Sequence, residues 1–132
     1  MTTFESLEEA REFFKGDRFA TDAGAILEKL SEDEVICSLE LNDSHRNAYG
    51  GVMGGVIFTL ADFAFAVLSN HLHRPTVGQQ VTINYISASK GEKLIAKATC
   101  RKNGRTVSII NVDVSDDLGR DVAQFIGTGF KL

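Results

Sequence analysis

Residues 54–71 read GGVIFTLADFAFAVLSNH, and the fold class can be inferred from them. Its apolar side chains occupy nearly every side of a helix rather than a single face. A helix that is apolar all round is a buried helix, because no face of it is suited to water. We therefore expect a long central helix from Gly54 to about His71, with other elements wrapped around it.

Strand-like segments lie on both sides of this helix. They show the alternation of apolar and polar residues that half-buried strands have, and they span residues 25–29, 34–41, 79–87, 94–102, 106–115 and 121–131. Short polar turns join them, and Asn103-Gly104 is a strong hairpin signal. Consecutive strands with such short connections are expected to be antiparallel.

The N-terminal segment predicts a short helix. Ser6 and Glu9 have the spacing of a capping box, and apolar residues recur after them at helical spacing, so the helix is expected over residues 6–15. The predicted fold class is therefore α+β, with an antiparallel sheet wrapped around one long helix and a short N-terminal helix. A length of 132 residues fits a single domain spanning residues 1–132.

The composition argues against several classes of protein. The net charge is −4 and Lys and Arg are scattered, so the basic footprint of a nucleic-acid-binding protein is missing. No apolar run reaches the roughly 18 residues needed to span a bilayer, and the polar start of the chain, residues 1–12, is no signal peptide. We therefore expect a cytoplasmic protein that does not bind membranes. The two cysteines and three histidines lack metal-ligand spacing, so we expect no metal and no cofactor.

One carboxylate interrupts the apolar helix. Thr59, Asp62, Ala66 and Ser69 are spaced three, four and three residues apart, which places them on one face. An ionised carboxylate in apolar surroundings is costly unless it is paired, and no Lys or Arg stands three or four residues from Asp62. This face could simply point to solvent. Desolvation is also how enzymes tune a carboxylate as base or nucleophile, so Asp62 is the candidate catalytic residue.

A glycine-rich loop, residues 50–55, leads into the helix. It could be only a tight turn, and it is not a P-loop because no Gly-Lys-Ser/Thr follows. Free amides at a helix start are also suited to stabilising a developing oxyanion. Together with Asp62 and the side-chain amide of Asn47, they are the groups needed for attack on a carbonyl.

Residues 47–66, NAYGGVMGGVIFTLADFAFA, resemble a known family. They follow without a gap the pattern Asn-x-x-Gly-x-x-His-Gly-Gly and then Leu-x-Asp of the hotdog-fold thioesterases, in the phenylacetic-acid-degradation (PaaI-like) branch. The resemblance continues through residues 84–87, 102–106 and 127–129. It implies a hotdog-fold homodimer or homotetramer, with active sites between subunits, that hydrolyses a fatty or aromatic acyl-CoA. Coenzyme A would then be part of the substrate.

The resemblance also implies roles for individual residues. Asp62 would be the base that activates water or the nucleophile that forms an anhydride, and the Gly54 amide would stabilise the oxyanion. Asn47 of the neighbouring subunit would position the water or the nucleophile. The remaining positions that match substrate-binding sites of the family are Met53, Gly55, Tyr85, Lys90, Lys102, Gly104, Arg105 and Thr106.

Met53 departs from the family pattern, which has His at this position. Methionine neither carries a proton nor donates a strong hydrogen bond, so the contribution of His is lost or supplied elsewhere, for example by His45. Two alternatives to a thioesterase stay open. One is a non-hydrolytic acyl-CoA-binding module, and the other is an enoyl-CoA hydratase or dehydratase of the same fold, which would need a His paired with a carboxylate.

Overall fold

The computed structural model describes residues 2–132 and contains three α-helices and six β-strands within that range. In chain order these elements are α1 (Leu7–Phe14), α2 (Arg18–Ala23), β1 (Ile26–Leu30), β2 (Glu34–Glu40), α3 (Gly54–Leu72), β3 (Thr76–Tyr85), β4 (Lys93–Asn103), β5 (Val107–Asp116) and β6 (Asp121–Lys131), with a 3₁₀ turn over Asp43–His45. The central helix, the α+β class and the six strands are thus confirmed. Helix α1 begins as expected, because the Ser6 hydroxyl accepts a hydrogen bond from the Glu9 amide at 3.0 Å.

The strands form one antiparallel sheet in the order β1-β2-β4-β5-β6-β3. The predicted hairpins β4–β5 and β5–β6 are present. Strands β3 and β4 run antiparallel, as expected, but they do not pair with each other, because β3 pairs with β6 at the far edge of the sheet. The chain crosses there to β4 through residues 86–92, and β4 pairs with β2 instead.

Helix α3 lies against the concave face of this sheet. Leu60, Ala64, Val67 and Leu68 on the helix are fully buried. The alternate residues of three strands that point toward it are fully buried as well: Val35, Cys37 and Leu39 on β2, Leu94, Ala96 and Ala98 on β4, and Ile110, Val112 and Val114 on β5. Burial of this apolar surface is the main force that holds the sheet around the helix.

Gly127 explains how the helix approaches β6 so closely. A Cβ atom at this position would lie 2.7 Å from two atoms of the Phe65 ring. Only glycine leaves room for that ring, which also contacts Phe125 at a centroid distance of 5.9 Å. The Gly127-Thr128-Gly129 segment is therefore set by packing.

By length and composition alone, α3 could cross a membrane, since its mean hydropathy is 1.4. The expectation that no segment is long and apolar enough to span a bilayer is wrong on this measure. Asp62 is the one Asp, Glu, Lys or Arg in the helix, so the mean hydropathy stays high. In the folded domain 56% of an 18-residue stretch of this helix is buried. Core helices of globular proteins share this property.

Candidate active site

The start of α3 presents free backbone amides next to an aromatic ring. Met53 is the N-cap residue and makes no side-chain cap, so the amides of Gly54 and Gly55 have no partner within the helix. The Tyr85 hydroxyl donates to the Gly54 carbonyl oxygen at 3.1 Å. A Cβ atom on Gly54 would lie 3.2 Å from the Tyr85 ring, so the residue must be small for the ring to sit there. Met53 is 52% exposed beside it.

Asn47 shapes the loop before the helix. Its side-chain oxygen accepts hydrogen bonds from the amides of Tyr49 at 2.9 Å and Gly51 at 3.1 Å. Among residues 2–132 the side-chain nitrogen of Asn47 has no hydrogen-bond acceptor, so this group is left to donate. Asn47 does not line the cavity around Asp62 of the same chain.

His45 is a structural residue. It is buried, its Nδ1 accepts from the Asn42 amide at 3.0 Å, and its Nε2 lies 2.7 Å from the Ala23 carbonyl oxygen. The idea that His45 replaces the family His at Met53 is wrong, because both ring nitrogens are occupied by backbone groups. The geometry assigns the proton to Nε2, since a carbonyl oxygen can only accept.

Asp62 lies two turns into α3, on the part of the helix that the sheet leaves uncovered. It lines a cavity of about 470 Å³ between α2 and α3 together with Asp17, Phe58 and Phe63. More than a third of Asp62 is exposed in the single chain. Partial burial against these rings raises its pKa, and the negative charge of Asp17 raises it further. Both effects make Asp62 a stronger base than an ordinary aspartate.

The face predicted around Asp62 is only partly correct. Thr59, Asp62 and Ala66 lie on the uncovered part of the helix, whereas Ser69 is buried and donates to the Ala66 carbonyl oxygen at 3.3 Å. The difference arises because Ser69 packs against β6, where a Cβ atom at Gly129 would lie 3.5 Å from the Ser69 Cβ atom. The uncovered face is short and carries small side chains on both sides of the carboxylate.

An apolar cavity of about 450 Å³ adjoins the Asp62 cavity. Phe19, which is 82% exposed, forms one wall, and Met53, Phe58 and Tyr85 form the others. Sequence reasoning missed α2 and with it Asp17 and Phe19. The helix is six residues long, and Asp17 makes no side-chain cap at its start, so no spacing pattern marks it.

Lys90 lies in the loop between β3 and β4, which Asp116 holds in place. The Asp116 carboxylate is 2% exposed and accepts from the amides of Lys90 at 2.9 Å and Gly91 at 3.1 Å. Its other oxygen accepts from the amides of Leu118 and Arg120, both at 3.0 Å. Sequence reasoning missed this residue because an aspartate in an Asp-x-x-Gly turn is common.

Four other predicted substrate-binding residues lie at the opposite end of the sheet from Lys90. Lys102, Gly104, Arg105 and Thr106 form the tip of the β4–β5 hairpin, where Lys131 donates to the Gly104 carbonyl oxygen at 2.6 Å. Strand β4 has 11 residues and separates this tip from Lys90 by roughly 30 Å. One chain therefore does not bring Lys90 and the hairpin tip together.

No histidine within residues 2–132 lines the cavities beside Asp62. His71 is buried and accepts from the Phe4 amide at 3.3 Å, and His73 contacts the Leu132 carbonyl oxygen at 3.0 Å. In the same part of the chain, no group of three His, Cys, Asp or Glu side chains is placed to hold a metal ion.

The chain is similar to known proteins both in sequence and in fold. Residues 49–123, more than half of the chain, match the model of the thioesterase superfamily. The chain belongs to the thioesterase superfamily. Two curated relatives are human acyl-coenzyme A thioesterase 13, 33% identical over 95 residues (69% of this chain, 68% of the relative), and acyl-coenzyme A thioesterase PaaI of Escherichia coli K12, 23% identical over 124 residues (93% and 89%).

Among solved structures, a hypothetical thioesterase of Streptococcus pneumoniae with coenzyme A superposes with a TM-score of 0.81 at 30% identity. The match covers 89% of this chain and 94% of that one. The expected hotdog fold and the resemblance to the PaaI-like thioesterases are thereby confirmed. As a member of this superfamily, the protein is a thioester hydrolase.

Proposed function

We propose that this thioesterase hydrolyses acyl-CoA to free acid and coenzyme A, with Asp62 as base or nucleophile and the Gly54 amide as oxyanion donor. The observation that carries the proposal is the pairing of unpartnered amides at the start of α3 with a carboxylate of raised pKa on the same helix. The adjoining apolar cavity suits a fatty or aromatic acyl group. Relatives described as acyl-coenzyme A thioesterases support this substrate class.

The spacing of these two groups requires a second chain. Gly54 and Asp62 are eight residues apart, so they are separated by about 12 Å along the axis of α3. A base or nucleophile and an oxyanion donor must each lie within about 3 Å of the same thioester group. The Gly54 amide of one subunit therefore acts with the Asp62 carboxylate of another. The uncovered face of α3 around Asp62 is available for such pairing.

The free edge of the sheet favours a two-fold dimer. Strand β3 is a ten-residue edge strand whose residues are mostly exposed, and such an edge pairs readily with another strand. Antiparallel pairing of two β3 strands places Tyr85 of one chain near Thr76 of the other. Thr76 pairs with Lys131, which contacts the hairpin tip. The hairpin tip of the partner would then lie near the start of α3. The hairpin tip of the same chain does not reach that position.

In this arrangement the chemistry follows two possible routes. Asp62 takes a proton from water while the water oxygen attacks the thioester carbonyl carbon, or the Asp62 oxygen attacks that carbon itself and forms an anhydride that water then cleaves. In both routes the Gly54 amide stabilises the carbonyl oxygen as it becomes negative. The tetrahedral intermediate collapses with loss of the coenzyme A thiolate. The free side-chain nitrogen of Asn47 is suited to hold the water or the attacking carboxylate.

The test is release of free thiol from short, long and aryl acyl-CoAs. Asp62→Asn removes the base and the nucleophile with little change in shape, so we expect turnover to fall by at least about a hundredfold. Asp113→Asn, on the exposed side of β5, is the matched control and should retain wild-type activity. Full activity in Asp62→Asn would refute the role of Asp62. Light scattering at micromolar concentration should show a dimer or a tetramer, and a monomer would refute the shared site.

Met53 favours a second candidate function, acyl-CoA binding without hydrolysis. The residue is exposed at the start of α3, where a hydrogen-bonding side chain would touch the thioester, and methionine offers only a weakly accepting sulfur. This function predicts tight acyl-CoA binding with no thiol release from any member of the panel. The hydratase alternative is disfavoured, because no histidine among residues 2–132 lines the cavities beside Asp62.

A further inference from the structure

A cavity near the N-terminal helices has no part in the proposed reaction. Its volume is about 300 Å³, and it lies between α1, α2, β1 and one side chain of α3. Small-molecule sites in proteins range from about 300 to 1,000 Å³, so a small ligand can be held there. We call this cavity the α1–β1 cleft, and its lining includes Arg11, Phe14, Lys15, Thr21, Ile26 and Phe63.

The α1–β1 cleft is separate from the cavity at Asp62. Phe63 lines both and forms a wall between them, since its side chain is 3% exposed and packs edge-on against Phe14 at a centroid distance of 5.8 Å. Residues 17–20 line the Asp62 cavity, whereas Thr21 lines the cleft. Among the described residues, none of those predicted to bind or attack the substrate lines the cleft.

Most of the residues that line the cleft are apolar. Phe14, Phe63, Ala25 and Leu27 are buried, and Ile26 beside them is 48% exposed. An isoleucine side chain gains free energy when its exposed apolar surface is removed from water. A hydrocarbon chain in the cleft would cover this surface.

Two cations lie at the opening of the cleft. The Arg11 Nε atom donates to the Leu27 carbonyl oxygen at 2.8 Å, which fixes the guanidinium against β1. Within residues 2–132, no carboxylate lies within 4 Å of Arg11. Lys15 lies 2.7 Å from Glu12, but their side chains are 74% and 72% exposed, and ion pairs in water contribute little. Lys15 can therefore exchange Glu12 for another anion.

These features select a ligand with an apolar body and one anionic end. A guanidinium group binds a carboxylate through two parallel hydrogen bonds, and that of Arg11 is already held in position. In the part of the chain that the structure describes, no Asp or Glu side chain lines the cleft to repel such a ligand. An uncharged hydrocarbon would leave the two cations unused, and a purely ionic ligand would leave the apolar surface exposed.

We propose that the α1–β1 cleft binds a free fatty acid, with the carboxylate on Arg11 and Lys15 and the hydrocarbon chain against Phe14 and Phe63. Such an acid is what the proposed thioester hydrolysis releases, so the choice of a fatty acid rests on that function, whereas the shape and charge of the cleft do not. The cleft distinguishes the acid from its thioester, because the thioester group carries no charge. Strand β1 is the sheet edge opposite β3, so the cleft stays open in the proposed dimer.

The experiment measures binding of decanoate and of uncharged decanol by calorimetry. Both titrations are made in the presence of saturating decyl-CoA, a thioether that cannot be hydrolysed and that occupies the substrate site. Arg11→Gln and Lys15→Gln each remove one cation, and Thr21→Leu places a larger side chain in the cleft. Arg101→Gln is the matched control, because Arg101 is an exposed arginine on β4. Thermal unfolding of each variant checks that the fold is intact.

We expect wild type and Arg101→Gln to bind decanoate about tenfold more tightly than decanol, because hydrogen bonds to a charged group are gained. Arg11→Gln should abolish most of this preference and Lys15→Gln a smaller part, whereas Thr21→Leu should weaken the binding of both ligands. Release of thiol from decanoyl-CoA should change no more in these variants than in Arg101→Gln.

Three results would overturn the proposal. They are decanoate binding that decyl-CoA abolishes, decanoate binding that no variant of the cleft weakens, and a loss of thiol release that parallels the loss of decanoate binding. In the last case the cleft would belong to the substrate site. A protein that binds decanoate in the expected pattern but releases no thiol from any acyl-CoA would refute the thioesterase function and support the fatty-acid site.

Discussion

Replacement of Asp116 by asparagine tests the buried carboxylate that holds the β3–β4 loop. One carboxylate oxygen accepts three hydrogen bonds, from Ser89, Lys90 and Gly91, and the other accepts two, from the amides of Leu118 and Arg120. Asparagine has one oxygen, so its NH₂ group must face one of these two sets of donors. At least two hydrogen bonds are therefore lost.

The expected cost follows from that number. A hydrogen bond to a charged group contributes about 1.5–3 kcal/mol, so the loss of two lowers the free energy of unfolding by about 3 kcal/mol or more. Asp113→Asn is the control, because this residue lies on the exposed side of the same strand and should change stability by less than about 0.5 kcal/mol. Urea unfolding of both variants at pH 7 measures the difference.

The effect should also depend on pH in a defined direction. Burial alone would raise the pKa of Asp116, but hydrogen bonds from the backbone amides of Lys90, Arg120, Leu118 and Gly91 outweigh it and lower the pKa to about 2. Because this is below the ordinary value of 3.8, the stabilisation is complete above about pH 4 and is lost as the pH falls through 2. A difference between wild type and Asp116→Asn below about 1 kcal/mol at pH 7, or one that stays constant down to pH 2, would refute this reasoning.

Three further predictions concern the cavity at Asp62, the packing of α3 and a buried histidine. Asp17→Asn removes a negative charge that helps to raise the pKa of Asp62, so the acid limb of the pH profile of kcat/KM should move to lower pH, and an unmoved limb would contradict this. Gly127→Ala forces a Cβ atom against the Phe65 ring, so chemical denaturation should show a loss of about 1–3 kcal/mol, and wild-type stability would contradict the close approach. His45→Ala leaves two backbone groups without partners and should cost about 2 kcal/mol by the same measurement, whereas a cost near zero would mean that water replaces the ring.

The central helix could be predicted from sequence because apolar residues occupy nearly every side of it. Asp62 could be identified because it is the one carboxylate among these apolar residues. The neighbourhood of Asp62 could not be predicted in this way. Asp17 and Phe19 reach it from α2, a six-residue helix whose position depends on how the N-terminal segment packs on α3. Such contacts between elements distant in sequence leave no periodic pattern.

The pairing of β3 shows a second limit of sequence reasoning. A short connection between two strands indicates a hairpin, yet the chain from Tyr85 to Lys93 crosses the sheet instead. Within the crossing segment, the amides of Lys90 and Gly91 donate to Asp116, which is the last residue of β5. Lys90 and Lys102, both identified by resemblance, lie at opposite ends of β4, because Lys90 precedes this strand and Lys102 is near its last residue. The sequence identifies such residues but does not show which of them lie close together in the folded protein.

The order of strands in the sheet has a consequence for synthesis of the protein. Helix α3 is complete at Leu72, but β6, which joins β3 to the rest of the sheet, ends at Lys131. Translation adds roughly 5–20 residues per second, so synthesis of the chain from Leu72 to Lys131 takes roughly 3–12 seconds. The complete sheet that covers the helix cannot form before that time has passed. During that time an apolar segment long enough to resemble a membrane span is exposed. A nascent chain that stalls before Asp121 is therefore expected to be a substrate for chaperones or proteases, even though the finished domain buries most of this surface.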